Sequence, residues 1–211
     1  MLTRSVLVAA VTVLGLASLP AFAHSDVTVK APAISAAPHL AVIKPAPDFT
    51  LVDTNGQPVR LAQLRGRIVL LAFVFTACTT ACPLIAHQMS VLQGHLTQAG
   101  LLPRRVVLLS VTVDPARDTA EALAQYSKRF AARPGWHFLR DTPEKMEPML
   151  AGYDEWTRKL PNGEVDHPAR IYLIDPLGRI REIYSLAFFD ERHALIDVLA
   201  IDKERGASTP P

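Results

Sequence analysis

The chain has 211 residues, 49% of them hydrophobic and 20% charged, with a net charge of +2. Those values fit one globular domain with extensions; they argue against a disordered chain and against a strongly basic nucleic-acid-binding surface. With only two cysteines the chain is no disulfide-stapled scaffold.

The N-terminus has its own character. Met1-Leu2-Thr3-Arg4 carries positive charge, Ser5 to Leu19 is apolar, and Ala21-Phe22-Ala23 has the small-x-small form of a cleavage site. Residues 1–23 therefore read as a secretory signal peptide, its apolar run of about 14 residues being shorter than the ~20 of a spanning helix. Cleavage after Ala23 and release into the bacterial periplasm are expected, with no transmembrane span in the mature chain; the alternative is an uncleaved anchor. No cysteine stands at the cleavage point, which argues against a lipoprotein. Residues 24–46, rich in Ala and Pro, read as a flexible tether.

The ordered domain is expected over 47–202. Phe49 to Val52 and Val59 to Leu61 form a hairpin around an Asn55-Gly56 turn. Arg67 to Phe75 is a near-continuous apolar run, the pattern of a strand buried on both faces. Cys78, Cys82 and Pro83 follow, then a helix from Leu84 to about Gln98. A second buried strand spans Val106 to Val113, a helix Thr119 to Ala132, a strand Trp136 to Leu139, and a helix Pro143 to Tyr153. Arg170 to Asp175 and Ile180 to Tyr184 pair around Pro176-Leu177-Gly178, and Glu191 to Leu199 is the last helix before a loose tail at 203–211. The order predicts an α/β fold with a central mixed sheet flanked by helices and an N-terminal β-hairpin extension.

Cys78 and Cys82 stand where a central strand gives way to a helix, the place where open α/β sheets put ligands. The helix N-terminus there favours a thiolate. Two cysteines four apart close too small a loop to stabilise the fold much. Their chemical uses are a reversible disulfide or capture of a soft ion, for which thiolates select Cu(I), and thiolates with an imidazole also suit Cu(II) or zinc.

A third ligand has to come from elsewhere. Of seven histidines, His24 and His39 lie on the tether; His24 would open the mature chain, where amine and imidazole together chelate Cu(II). His87 is turned ~140° around the helix from Cys82, and His95, His137 and His193 occupy ordinary helix or strand contexts. His167 is different: it lies in the loop Asn162-Gly163-Glu164-Val165-Asp166-His167-Pro168, which in a thioredoxin-like sheet approaches the cysteine helix. Asp166 is a candidate to orient its ring, or is simply solvated.

Pro47-Asp48-Phe49, the segment Phe75 to Leu84 with its Cys-x-x-x-Cys, Val111 to Thr119 with Asp114-Pro115-Ala116-Arg117-Asp118, and Asp166-His167 before Tyr172 to Pro176 together resemble the SCO/SenC family, over roughly residues 45–200. The resemblance implies a thioredoxin-like fold and a copper ion, Cu(I) or Cu(II), held by Cys78, Cys82 and His167. It implies a metallochaperone role in assembling the CuA site of cytochrome c oxidase, by delivering copper, by reducing thiols, or both. Partners would be the CuA-bearing subunit or another copper protein, and other periplasmic copper chaperones or thiol reductants. Asp114 and Asp118 would support the site or contact a partner; the plainer reading is a turn at Asp114-Pro115 and a helix cap at Asp118.

Three features depart from the family pattern: many members have a transmembrane anchor where this chain reads as having only a signal peptide, Ala77 is less polar than the residue usual there, and Pro168 follows the histidine, near the cis-proline position of thioredoxin-like reductases. The competing reading is a periplasmic thiol-disulfide oxidoreductase, with Cys78 attacking a partner disulfide and Cys82 resolving it. Such reductases usually space their cysteines by two residues and do not require His167. A peroxiredoxin-type peroxidase fits less well, since Thr76 precedes Cys78 by only two positions.

Overall fold

In the computed structural model the described residues are 40–79, 81–185 and 188–207, with side chains to 205. The signal peptide, most of the tether with His24 and His39, and the end of the tail lie outside the described residues.

The strands are β1 (Lys44–Pro45), β2 (Thr50–Asp53), β3 (Pro58–Arg60), β4 (Ile68–Val74), β5 (Val106–Thr112), β6 (Trp136–Arg140), β7 (Arg158–Lys159), β8 (Val165–Asp166), β9 (Arg170–Ile174) and β10 (Arg179–Ser185). The helices are α1 (Ala81–Gln98), α2 (Ala120–Arg129), α3 (Pro143–Gly152) and α4 (Glu191–Ala207). Eight strands form one mixed sheet in the order β1-β10-β9-β4-β5-β6-β2-β3. β4, β5 and β6 run parallel, while β9 lies antiparallel to β4. Every residue of β4 and β5 is buried, because both faces of these strands are covered. α1 and α4 pack on each other, α4 also against β4, and α2 lies on β6. This is the thioredoxin-like arrangement expected from the sequence, with β2–β3 as its N-terminal hairpin.

The hairpin turn forms because the Asp53 carboxylate accepts from the backbone N–H groups of Asn55 and Gln57, while Gly56 takes the positive φ (75°) that the turn requires. Four boundaries differ from the sequence reading. Lys44–Pro45 pairs with Ile180 and Arg179, so the sheet takes in the last residues of the stretch read as tether. α1 starts at Ala81 rather than Leu84: Pro83 then lies in the first turn, where its missing N–H has no intrahelical partner to lose. α4 runs to Ala207, through the start of the segment read as a tail. Finally, the loop before β9 contains the small β7–β8 hairpin, too short to leave a periodic signal. Among the described residues no helix is long and apolar enough to cross a membrane.

Candidate thiol–imidazole site

Buried β4 delivers the chain into the loop after Val74 and fixes where the cysteines begin. Asp118, fully buried, organises this loop: its carboxylate accepts from the Thr76 backbone N–H at 3.2 Å, from the Thr76 hydroxyl at 2.5 Å and from the Thr112 hydroxyl at the end of β5. Asp118 therefore joins the loop before Cys78 to the neighbouring strand, a supporting role; the cap of α2 is Thr119, whose hydroxyl accepts from the Ala122 N–H. Asp114 is also buried and pairs with Arg117 in the turn after β5.

Cys78 precedes α1 and Cys82 lies in its first turn. Both are in the dithiol form and buried, at 8% and 0% exposure. The Cys82 backbone N–H donates to the Cys78 sulfur at 3.3 Å, so the open donors of the helix end serve Cys78. The Cys82 thiol is affected in the opposite sense from that expected of a helix N-terminus. Its hydrogen bond with Cys78 and its burial push its pKa well above the usual thiol range, outweighing a backbone hydrogen bond from the Phe75 region that acts the other way.

His167 enters from the far side of the sheet sequence. β8 ends at Asp166, and the imidazole that follows is 4% exposed, with its Nε2 4.0 Å from the Cys82 sulfur. The Phe75 ring stands edge-on to it, centroids 6.0 Å apart. Cys78, His167, Phe75, Ala81 and the β8 residues line a cavity of about 140 Å³. The hairpin is tied to the cysteine loop by the Thr79 hydroxyl, which donates to Glu164 at 2.8 Å. Asp166 turns away to pair with Arg158 and does not hold the ring. The peptide before Pro168 is trans, since the one cis bond among the described residues is Leu102–Pro103; Pro168 does not reproduce a cis-proline. His87 and His193 are exposed, and His95 and His137 half-buried in their own elements.

The 4.0 Å between the Cys82 sulfur and the His167 Nε2 is a span that one soft ion could bridge with ordinary sulfur and nitrogen bond lengths. As they stand, no three His, Cys, Asp or Glu side chains among the described residues already surround a common point in metal-binding geometry. Two sulfurs and one imidazole nitrogen are donors whose chemistry suits copper better than hard cations.

One residue at the site was not singled out in the sequence. Glu155, between α3 and β7, has its side chain fully buried with one carboxylate oxygen 3.5 Å from Nδ1 of His167. Neither of its oxygens has a hydrogen-bond partner among the described residues. What places it is the end of α3. The N–H of Asp154 bonds back to the Ala151 carbonyl and that of Glu155 to the Leu150 carbonyl, while Asp154 takes a positive φ of 56°. That is a Schellman ending, which turns the second residue beyond the cap inward, a place usually given to an apolar side chain.

The SCO1/SenC family profile matches residues 41–200. A SCO2-like protein of Rickettsia typhi is 32% identical over 153 residues, a match that spans 67% of this chain and 71% of that protein. The copper-bound structure of ScoI from Bradyrhizobium japonicum superposes with a TM-score of 0.60 at 28% identity, covering 76% of this chain and 98% of that one. A structure of BsSco, from work identifying a disulfide switch in this member of the Sco family of cytochrome c oxidase assembly proteins, gives a TM-score of 0.65 at 25% identity, covering 76% and 95%.

Proposed function

This chain belongs to the SCO1/SenC family, and from that membership we propose that it is an exported copper-binding chaperone with a redox-active dithiol, acting in the assembly of cytochrome c oxidase. In this reading copper is the cargo. Cys78, Cys82 and His167 hold it, and the recipient is the CuA-bearing subunit or another copper protein in the periplasm. The observation that carries the reading is the approach of the His167 Nε2 to within 4.0 Å of the Cys82 sulfur, with Cys78 lining a cavity beside His167. The copper-bound relative from Bradyrhizobium japonicum supports it. Loading requires both thiols reduced and gives up their protons, so uptake weakens as pH falls.

The test is a titration of the reduced protein with Cu(I) and Cu(II), beside Cys78→Ala, Cys82→Ala and His167→Ala. Wild type is expected to take one equivalent, and each single variant to lose at least tenfold in affinity. Uptake by wild type no stronger than by the cysteine variants would end this reading.

A second reading has its own support. Cys78 lines the cavity while Cys82 stands behind it at 0% exposure, the arrangement of an attacking and a resolving thiol. A member of the family is the subject of work on a disulfide switch. As a thiol-disulfide oxidoreductase, the protein would reduce a partner disulfide and emerge with Cys78 and Cys82 joined, to be reset by an external thiol reductant. His167→Ala separates the two readings: disulfide exchange with a model substrate is expected to survive this change, and copper binding is not.

A further inference from the structure

We propose that Glu155 is a positioning residue for His167, accepting a hydrogen bond from Nδ1–H and so holding the ring in the tautomer whose bare Nε2 faces the thiols. This rests on the copper reading of the site, because it assigns the nitrogen that becomes a ligand.

The observations come from three sides. Glu155 is an enclosed carboxylate: the Schellman ending of α3 turns it inward, and its side chain is fully buried. A carboxylate in such a place needs a donor, and neither oxygen has one among the described residues. Its nearest nitrogen is Nδ1 of His167, on the ring edge opposite the one that faces Cys82. At 3.5 Å the pair is close but not yet hydrogen-bonded, and a small rotation of the ring closes it. Arg170 feels the Glu155 charge, but its guanidinium is engaged by the Asp154 carbonyl and by Tyr172.

A competitor is present. The Ala169 N–H points at the same Nδ1 from 3.3 Å, an arrangement that requires the proton on Nε2. The two neighbours therefore demand opposite tautomers. With the proton on Nε2, the nitrogen facing the thiols has no lone pair to give, and the Glu155 carboxylate stays buried with no donor. With the proton on Nδ1, one backbone N–H loses a long contact and the carboxylate gains its partner. The Nδ1–H form is the one that gives the enclosed Glu155 oxygens a donor and leaves Nε2 bare toward the thiols, at the loss of one long backbone contact. Carboxylate–imidazole pairs of this kind fix ring orientation and raise the basicity of the ligating nitrogen.

The experiment reads the tautomer without metal. Long-range nitrogen–proton correlation spectra of the reduced, copper-free protein labelled at histidine nitrogens, at about pH 8 where an ordinary imidazole is neutral, assign the proton of His167. Wild type is expected to carry it on Nδ1. Glu155→Gln keeps an acceptor at the same place and should retain that form. Glu155→Leu removes the acceptor at a similar side-chain volume and should move the proton to Nε2; its copper affinity should fall roughly 10- to 100-fold, with Glu155→Gln within about threefold of wild type. A wild-type His167 protonated on Nε2, or a tautomer unchanged in Glu155→Leu, overturns the proposal. Since the spectra involve no copper, a protein that shows the tautomer shift yet binds no copper would sink the copper reading and leave the pairing intact.

Discussion

Cys78 and Cys82 are four positions apart in one short segment and yet are chemically unequal. Cys78 lines the cavity and its sulfur receives the Cys82 backbone N–H, whereas Cys82 is enclosed and its hydrogen bond with Cys78 and its burial push its pKa up. Reactivity follows the thiolate and access to it. Brief iodoacetamide treatment of the reduced protein should therefore modify Cys78 at least ~10 times faster than Cys82, as read by peptide mass spectrometry; equal rates would mean that the two thiols exchange environments in solution. Cys78 and Cys82 were legible as candidates from their place between a buried strand and a helix, and His167 from the loop that holds it. Glu155 was not. Nothing in the residue types of Asp154-Glu155-Trp156 marks the middle side chain as buried, and only the positive φ of Asp154 reveals that it points inward.

The element that brings His167 to the thiols is the β7–β8 hairpin, whose two-residue strands exchange few backbone bonds. Its position relative to the cysteine loop depends on tertiary ties, of which the Thr79–Glu164 hydrogen bond is one. A net contribution of about 0.5–1.5 kcal/mol for such a bond corresponds to roughly a 2- to 10-fold effect on anything that requires the two segments together. Thr79→Val should accordingly weaken copper binding by that factor and raise amide exchange in residues 158–167, while the melting temperature changes little. Unchanged affinity with unchanged exchange would show that the hairpin holds its place without this tie. The hairpin escaped the sequence reading because strands of two residues have no periodicity to detect. The overrun of α4 has another cause: Lys203-Glu204-Arg205 looks like a charged tail, but Asp202 pairs with Arg105 and Glu204 with Arg181, which draws the helix onward.

At the scale of the molecule, the long apolar runs of β4 and β5 set the sheet, and its far edge is secured by charge. Arg181, with its side chain 3% exposed, donates to Asp175 at 3.2 Å and to Glu204 on α4 at 3.0 Å, and its Nε donates to the Leu40 carbonyl at 2.8 Å. One guanidinium thus ties the β9–β10 turn, the last helix and the incoming chain together. Breaking a buried pair by removing one member costs about 3–5 kcal/mol. Asp175 keeps Arg179 at 2.7 Å as a second partner, so Arg181→Met is expected at the low end, lowering the melting temperature by roughly 10 °C. Asp175 adds a pH dependence. Burial opposes its ionisation, but hydrogen bonds from Arg179 and Arg181 more than compensate and hold its pKa below the usual carboxylate value. A carboxylate depressed in the folded state stabilises above its unfolded pKa of about 3.9, and that contribution disappears as pH falls through the lower folded value. Asp175→Asn should therefore be less stable than wild type at neutral pH, with the difference shrinking below about pH 4. Denaturant unfolding of both proteins between neutral pH and the acid limb measures it. A difference that stays constant across that range would mean that Asp175 acts through shape and hydrogen bonding, with its charge contributing nothing to the tie between sheet and helix.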